Sequence, residues 1–339
     1  MPETSRFVTF DSVLPRGRVS EEMFRLGSRT LGPLGNGQVR VKPAAFSVDP
    51  IQRTLFTGAE AMLPQYIPGA PIVGDAVGVV VESRNVAFPT GTTVTGRLEW
   101  ADTAVWAGQN QELTVVDPDI AELSHALGVY GIVGLTAFYG ITEVGQVREG
   151  ETVLISAAAG AVGSIAGQIA KLRGATVIGL ASTQTKRDTL TSKLGFDGAL
   201  DYRAVDFAEQ LQAAMPSGPD VYFDNVGGPV SQVVMRQMRR PGRIVDCGQI
   251  STYDDTETAW KVDITPIHLN GLRFEGLSPA LFMQDWPRAR QQLKTWVEAG
   301  QIVPQETRLH GLASLPAALV ALFKGENVGK MIVTVGDGE

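Results

Sequence analysis

The chain has 339 residues, of which 44% are hydrophobic and 19% charged, and its formal net charge is −7. This length and composition allow about two domains with buried cores and exclude a disordered or fibrous protein. The acidic balance excludes the basic surface that nucleic acids and anionic membranes require as partners. The first residues have neither signal-peptide nor transit-peptide character, and a single cysteine excludes an internal disulfide. We therefore expect a soluble, cytoplasmic protein.

Two stretches without Asp, Glu, Lys or Arg are long enough to span a bilayer, at residues 123–142 and 152–170. Both are rich in small residues and in Ser or Thr, and the second changes from a strand-like to a helical period. These features favour buried segments of an α/β domain. We predict no membrane span.

The elements predicted before residue 120 differ from those that follow. Short β-rich runs separated by turn residues predict a compact barrel or sandwich: QVRVKPAAFSV, DAVGVVVES, TTVTGRLEW and ELTVVD. From about residue 124, strands alternate with glycine turns and helices, which predicts a parallel sheet covered by helices: TVLIS, AVGSIAGQIAKLR, ATVIGLA, DVYFDN, VSQVVMRQMRR and GRIVDCG. Beyond residue 300, LASLPAALVALFKG predicts a helix and KMIVTV a terminal strand.

The turn AAGAVG, residues 158–163, joins a predicted strand to a predicted helix. The N–H groups and the positive dipole at the start of such a helix can bind a phosphate. In the dinucleotide-binding fingerprint, the second glycine admits the pyrophosphate and the third lets the helix approach the strand. Gly160 and Gly163 take those places, and Ala158 takes the first. For the motif alone, a glycine-rich turn without a ligand stays an open alternative.

Residues about twenty positions further along distinguish NAD from NADP. An NAD site places an acid there for the ribose hydroxyls. Here residues 182–187 read STQTKR, with no acid before Asp188. Hydroxyls and cations suit a 2′-phosphate, so we predict NADP as the cofactor, with Lys186 and Ser182 on the phosphate side. A solvated position at a helix start is the alternative for Lys186 and the better interpretation of Arg187.

The sequence contains neither the ligand pattern of a metal site nor the nucleophile motif of a serine hydrolase. Zinc sites need several Cys, His or acidic ligands, whereas Cys247 is the single cysteine and His125, His268 and His310 lie far apart. No G-x-S-x-G nucleophile motif occurs, and Asp254 with Asp255 resembles a solvated loop rather than an acid–base pair. An NADP enzyme without a metal polarises its substrate by hydrogen bonds alone. This favours a C=C bond conjugated to a carbonyl, because hydride addition then gives a delocalised enolate.

Five motifs in order resemble the zinc-free medium-chain dehydrogenase/reductases, in the prostaglandin reductase and 2-alkenal reductase branch: AAAGAVGSIAGQIAKLRGATVIGLA, LGFDGALDY, YFDNVGG, IVDCGQIS and ENVGK. The resemblance is densest over residues 124–255 and thin before residue 45. It implies an α/β fold class, with a GroES-like β-rich substrate domain at 1–123 and 301–339. A Rossmann doubly wound parallel sheet would form the NADP-binding domain at 124–300. It also implies a homodimer that reduces α,β-unsaturated ketones and aldehydes with NADPH, by hydride transfer to the β-carbon.

The same resemblance assigns roles to individual residues. Lys186 would bind the 2′-phosphate, Tyr202 would lie at the adenosine end, and Asn327 would reach the phosphates on the nicotinamide side. The full expected cofactor-binding set is Ala158, Gly160, Ala161, Val162, Gly163, Ser182, Lys186, Tyr202, Asn225, Cys247, Gln249, Ile250, Ser251 and Asn327. Tyr253 would lie near the nicotinamide ribose and the substrate oxygen as the catalytic residue. A packing phenol is the alternative for Tyr253, and a helix cap is the alternative for Asn327.

The chain departs from the family pattern at two places. Ile51 and Gln52 stand where an aromatic residue and a methionine are common, and Ile132 and Val133 stand where Met-Pro is common. These positions are expected near the pocket, so the departures indicate a substrate that differs from the family's usual ones. Two alternatives for the function stay open. One is an NADPH-dependent quinone oxidoreductase of the same superfamily, and the other is a non-catalytic NADPH-binding protein.

Overall fold

The computed structural model describes residues 3–59, 63–108, 112–254 and 262–336. The described residues fall into two compact units. The first contains those of 1–128 and 306–339 together with Asp254, and the second contains those of 129–253 and 257–305.

The first seven described strands precede the first α-helix, whereas strands and helices mostly alternate after it. The strands are β1 (Thr4–Phe10), β2 (Phe24–Thr30), β3 (Val39–Val48), β4 (Val73–Ser83), β5 (Thr93–Glu99), β6 (Ala104–Trp106), β7 (Leu113–Val115), β8 (Thr152–Ile155), β9 (Thr176–Leu180), β10 (Gly198–Leu200), β11 (Val221–Asp224), β12 (Arg243–Asp246), β13 (Arg273–Gly276), β14 (Glu306–His310) and β15 (Lys330–Thr334). The α-helices are α1 (Ile132–Tyr139), α2 (Ala161–Leu172), α3 (Gln184–Lys193), α4 (Phe207–Ala214), α5 (Gly228–Gln237), α6 (Thr265–Asn270), α7 (Trp286–Glu298) and α8 (Leu315–Lys324).

The first unit is built on a seven-stranded sheet in the order β14-β15-β3-β4-β5-β7, with β6 paired to β3. Strands β1 and β2 form a separate antiparallel pair. The end of the chain completes the large sheet, because β15 pairs antiparallel with β3 and parallel with β14. Its core buries large side chains completely, including Phe46, Phe56 and Trp100, and the apolar face of α8 packs against it.

The second unit is built on a six-stranded sheet in the order β10-β9-β8-β11-β12-β13. All of its neighbouring pairs are parallel. Apolar side chains fill the space between sheet and helices, and Val153, Val177 and Phe223 have no exposed surface. In chain order the strands are arranged 3-2-1-4-5-6, so the winding reverses between β8 and β11. Ligands of such sheets bind at the carboxyl ends of the strands, at the reversal. The predicted α/β fold class, with a β-rich N-terminal sheet and a Rossmann sheet, is confirmed.

Neither apolar stretch forms one long helix. Residues 123–142 include a 3₁₀ turn at Leu123–Ala126, helix α1 and part of a π-helical turn at Gly140–Val144. Residues 152–170 contain β8 and most of α2. Across the described ranges, no helix combines the length and the apolar character that crossing a membrane requires.

Candidate functional site

The turn between β8 and α2 brings a helix N-terminus to the carboxyl end of a central strand. The N–H of Gly160 donates to the carbonyl of Ala157 at 2.9 Å, which closes the turn. Ala157 has a φ of 45°, so the left-handed position precedes Ala158, whose side chain is fully buried. No side chain caps α2, and the N–H groups of its first turn, at 161–163, have no acceptor within the helix. An anion placed there would accept these N–H groups and be stabilised by the helix dipole.

Gly163 allows the close packing of α2 on this turn. A Cβ at this position would lie 2.6 Å from the carbonyl oxygen of Ala157 and 2.8 Å from the Cα of Ala158. Both neighbours are backbone atoms, so the helix would have to move away from the strand. The geometry therefore fits the pyrophosphate of a dinucleotide, which needs both the free N–H groups and this close approach.

We expect Gly163→Ala to destabilise the protein by about 1–3 kcal/mol, the usual cost of overpacking. The free energy of unfolding in urea, measured without ligand, checks this. Gly276→Ala is the matched control in the same unit, because nothing lies within 4 Å of the added Cβ. Equal losses in both variants would show that the close approach at Gly163 is not the cause.

Asn225 links the two strand ends at the reversal point. Its backbone N–H donates to Ser156 Oγ at 2.8 Å, and its Nδ2 donates to the carbonyl of Ser156 at 2.7 Å. Ser156 Oγ donates in turn to Oδ1 of Asp224 at 3.0 Å. This buried carboxylate also accepts the N–H groups of Val226 and Gly227, at 2.9 and 3.0 Å. Asn225 is thus held at the carboxyl edge of the sheet.

The loop after β12 packs on the turn after β11. The N–H and Oγ of Ser251 both donate to the carbonyl of Val226, at 3.2 and 2.7 Å. Gly228, with a φ of 70°, faces this loop, and a Cβ there would lie 2.7 Å from Ser251 Oγ. Cys247 joins the same edge through its N–H, which donates to the carbonyl of Asp224 at 2.8 Å. The structure thereby brings five of the expected residues to neighbouring positions: Asn225, Cys247, Gln249, Ile250 and Ser251.

Tyr253 follows a 3₁₀ turn at Ile250–Thr252 and is partly buried. Its hydroxyl turns back over the start of the loop, where a Cβ on Gly248 would lie 3.4 Å from it. Burial raises the pKa of the Tyr253 phenol, and the nearby Cys247 and Asp246 raise it further. The phenol is therefore protonated at neutral pH and able to donate a hydrogen bond.

Cys247 lies near this phenol but does not have the properties of a nucleophile. Burial, followed by the charges of Asp246 and Asp224, raises the pKa of its thiol to about 12. Because the thiolate is the reactive form, this thiol is inert at neutral pH.

A cationic site lies at the N-terminus of α3. Thr183 caps this helix by accepting the N–H of Lys186 at 3.4 Å. Burial lowers the pKa of the Lys186 ammonium, and the positive charge of Arg203 lowers it further. The guanidinium of Arg203 stacks over the ring of Tyr202, 5.6 Å from its centroid. Two cations and an aromatic ring could together hold a phosphorylated ribose: Lys186, Arg203 and Tyr202. Arg203 is not among the residues expected from the sequence, although it directly follows Tyr202.

The neighbouring Arg187 is held by an ion pair with Asp201. Its Nη1 pairs with Oδ2 of Asp201 at 3.0 Å, and its side chain is only 18% exposed. Nη1 also donates to the carbonyl of Ala181 at 3.0 Å. The interpretation of Arg187 as a solvated side chain is wrong, because this ion pair joins α3 to the segment after β10.

Two further positions of interest lie in the first unit. Asn327 is buried, and its Nδ2 donates to the carbonyl of Gly329 at 2.8 Å, while Gly325 terminates α8. Gln52 is also buried: it accepts the N–H of Asp49 at 2.9 Å and donates to the hydroxyl of Tyr66 at 3.3 Å. Both amides are thus engaged in local hydrogen bonds.

In the second unit, Val133 is a core residue, whereas Ile132 is 40% exposed. Among the residues that the structure describes, no group of three or more His, Cys, Asp or Glu side chains could hold a metal ion.

Comparisons with known proteins cover both units. Residues 9–115 match a family described as the N-terminal domain of oxidoreductase, and residues 161–295 match one described as zinc-binding dehydrogenase. Prostaglandin reductase 1 of Oryctolagus cuniculus is 39% identical over 322 residues, which cover 93% of this chain and 89% of that protein. The NADP(+)-dependent 2-alkenal reductase of Nicotiana tabacum is 36% identical over 305 residues, 89% of each chain. The structure of CurA in complex with NADPH from Vibrio vulnificus has a TM-score of 0.91 at 31% identity, covering 98% of this chain and 100% of that one.

Proposed function

Because the chain belongs to the zinc-free medium-chain dehydrogenase/reductases of the prostaglandin reductase and 2-alkenal reductase type, we propose that it reduces the C=C bond of α,β-unsaturated ketones and aldehydes. The observation that carries this proposal is the Tyr253 hydroxyl, which lies over Gly248 in the loop after β12, at the carboxyl edge of the parallel sheet. The chain is an NADP-dependent oxidoreductase, in agreement with the NADP(+)-dependent 2-alkenal reductase and with the NADPH complex of CurA.

Each part of the cofactor has a matching group in the second unit. The first turn of α2 would bind the pyrophosphate through its free N–H groups. Lys186 would bind the 2′-phosphate, with Tyr202 at the adenosine end, and Asn225 and the loop 247–251 would line the nicotinamide groove. We assign residues 124–300 to the NADP-binding domain and residues 1–123 with 301–339 to the substrate domain. Asn327 would contribute to the cofactor from the substrate domain.

The chemistry follows from what these groups can do. NADPH, when bound, would supply a hydride to the β-carbon of the substrate. The negative charge that develops on the carbonyl oxygen would be stabilised by a hydrogen bond from the Tyr253 hydroxyl, directly or through the ribose, and solvent would then protonate the α-carbon. Preorganised donors are most effective where charge develops in the transition state. The neutral Cys247 thiol does not compete for the electrophilic β-carbon.

A panel of enones, enals and quinones, each assayed by NADPH oxidation, tests the proposed function. We expect turnover with enones and enals, and a product in which two hydrogens are added across C=C and the carbonyl is retained. Turnover with quinones alone would favour the quinone oxidoreductase instead. Tight NADPH binding without turnover of any compound would favour the non-catalytic alternative. The cytoplasmic location and the homodimer stay predictions, and analytical ultracentrifugation measures the second.

Dialysis against EDTA is expected to leave the reductase activity unchanged. The reason lies in the donor set: one cysteine and three separated histidines do not supply the ligands of a zinc site. Elemental analysis of the purified protein should accordingly find no stoichiometric zinc. Activity that EDTA removes and added zinc restores would contradict the metal-free mechanism.

A further inference from the structure

Arg53 is a charged side chain with no exposed surface. It lies on the 3₁₀ helix Pro50–Phe56 of the first unit. Its Nη1 donates to the carbonyl of Leu14 at 3.1 Å, and its Nε and Nη2 donate to the carbonyl of Gly17 at 3.2 and 2.8 Å. Charged side chains are buried in proteins almost only when they are paired. The buried guanidinium of Arg53 therefore needs an anionic partner.

That anion is Asp254. Its Oδ1 lies 3.6 Å from Nε of Arg53, and its Oδ2 lies 3.9 Å from Nε of Arg18. The carbonyl of Asp254 accepts the N–H of Gly17 at 2.7 Å. The main chain of Asp254 is therefore held by a hydrogen bond, and its carboxylate pairs with Arg53 by charge rather than by a hydrogen bond. Asp254 is thus partly buried and paired, which the interpretation as a solvated loop did not include. Asp255 lies outside the described residues.

The residue bonded to Asp254 is Tyr253. Two positions before Tyr253, Ser251 is fixed by its two hydrogen bonds to the carbonyl of Val226. The phenol thus lies on the residue directly before a chain position that Gly17 and Arg53 hold. We propose that Arg53 and Asp254 are positioning residues, which fix the chain after Tyr253 and so set where its hydroxyl lies. This inference rests on the proposed role of Tyr253.

Asp254 is the residue to change, because its side chain is 32% exposed whereas that of Arg53 is fully buried. Either change breaks the buried ion pair and lowers stability, but replacing Arg53 would also leave the carbonyls of Leu14 and Gly17 without a donor and would disturb folding more. Displacement of a reacting group by about 1 Å can cost roughly a hundredfold in rate. We expect Asp254→Ala to lower kcat by about ten- to a hundredfold, with the Kd for NADPH, measured by fluorescence titration, unchanged. Asp263→Asn is the matched control, since Asp263 pairs with Arg236 at 3.5 Å and is 44% exposed. It should leave kcat as in the parent.

A double-mutant cycle separates positioning from general damage. Once Tyr253→Phe has removed the hydroxyl, Asp254→Ala should cost no further activity, because nothing is left to misplace. Asp254→Asn keeps the shape but loses the charge and should lie between the parent and Asp254→Ala. A loss that is equal in both backgrounds, or no loss from Asp254→Ala in the parent, would overturn the proposal.

A measurement without turnover distinguishes this inference from the proposed function. The pKa of the Tyr253 phenol can be followed by NMR of ring-labelled tyrosine, with Tyr253→Phe assigning the signal. Burial holds this pKa above its ordinary value, so release of the chain in Asp254→Ala should lower it towards about 10. Asp263→Asn should leave it unchanged.

An unaltered Tyr253 pKa in Asp254→Ala contradicts the positioning role, whether or not the protein reduces enones. If the pKa falls but Tyr253→Phe reduces enones at the parent rate, the positioning holds and the proposed role of Tyr253 fails.

Discussion

Lys186→Ala is expected to remove most of the preference for NADPH over NADH, which in the parent should be at least tenfold in kcat/KM. The ammonium lies at the capped start of α3, near Arg203, and no acid occurs among residues 182–187 to bind the ribose hydroxyls of NADH. A charge-assisted hydrogen bond to the 2′-phosphate contributes about 1.5–3 kcal/mol, or roughly tenfold to over a hundredfold in affinity. NADH lacks this phosphate, so its kinetics should stay close to those of the parent.

Steady-state kinetics with both cofactors measure this preference, and titration with 2′,5′-ADP measures the phosphate contact without turnover. Lys193→Ala is the control, because Lys193 is exposed in the last turn of the same helix. Burial and Arg203 lower the pKa of Lys186, and the contact needs the protonated form. The NADPH preference should therefore be full below that pKa and decline as pH rises through it, at a lower pH than a solvated lysine would show. Equal use of NADH and NADPH by the parent would contradict the assignment.

Buried strands can be predicted from the sequence more readily than exposed ones, because burial requires a run of apolar residues. The central strands β8, β9 and β11 are covered on both faces, and such strands appear as continuous apolar runs: TVLI, TVIGL and VYFD. Strand β13, RFEG, is exposed along its whole length and carries no apolar pattern. It forms because the backbone of β12 offers it a partner. Pairing partners that are distant in sequence leave no local pattern, so the sequence does not predict β13.

The candidate site likewise contains residues whose structure depends on neighbouring sequence and residues whose contacts come from distant segments. The glycine turn at residues 158–163 depends only on the strand before it and the helix after it, so the local sequence suffices to predict its structure. The different roles of Lys186 and Arg187 depend on Asp201, a residue of another segment that pairs with Arg187. Arg53 lies in the mixed segment IQRTLF, residues 51–56, and nothing local indicates that its guanidinium is buried. Its acceptors come from residues 14 and 17 and from Asp254, and only the folded chain brings them together.

Tyr253→Phe is expected to lower kcat for enone reduction by about ten- to a thousandfold. Removal of a single oxyanion donor costs about a hundred- to a thousandfold, and the lower bound here allows for a contact made through the ribose. The hydroxyl lies over Gly248 at the carboxyl edge of the sheet, and its raised pKa keeps the proton available. The loss should be partial, because solvent can still protonate the α-carbon of the enolate. The Kd for NADPH should change much less than kcat, since the pyrophosphate and the 2′-phosphate are bound elsewhere.

Tyr139→Phe is the matched control for removing a phenol hydroxyl from the same unit. Burial, followed by Asp285, raises the pKa of Tyr139 to about 12, and its hydroxyl donates to Oδ2 of Asp285 at 3.2 Å. Its loss should lower stability without lowering kcat, because this tyrosine lies in α1 rather than in the loop after β12. If the Tyr253→Phe variant reduces enones at the parent rate, Tyr253 is a packing residue. If NADPH binding falls in proportion to activity, the hydroxyl serves the cofactor, and the substrate oxygen finds its hydrogen-bond donor elsewhere.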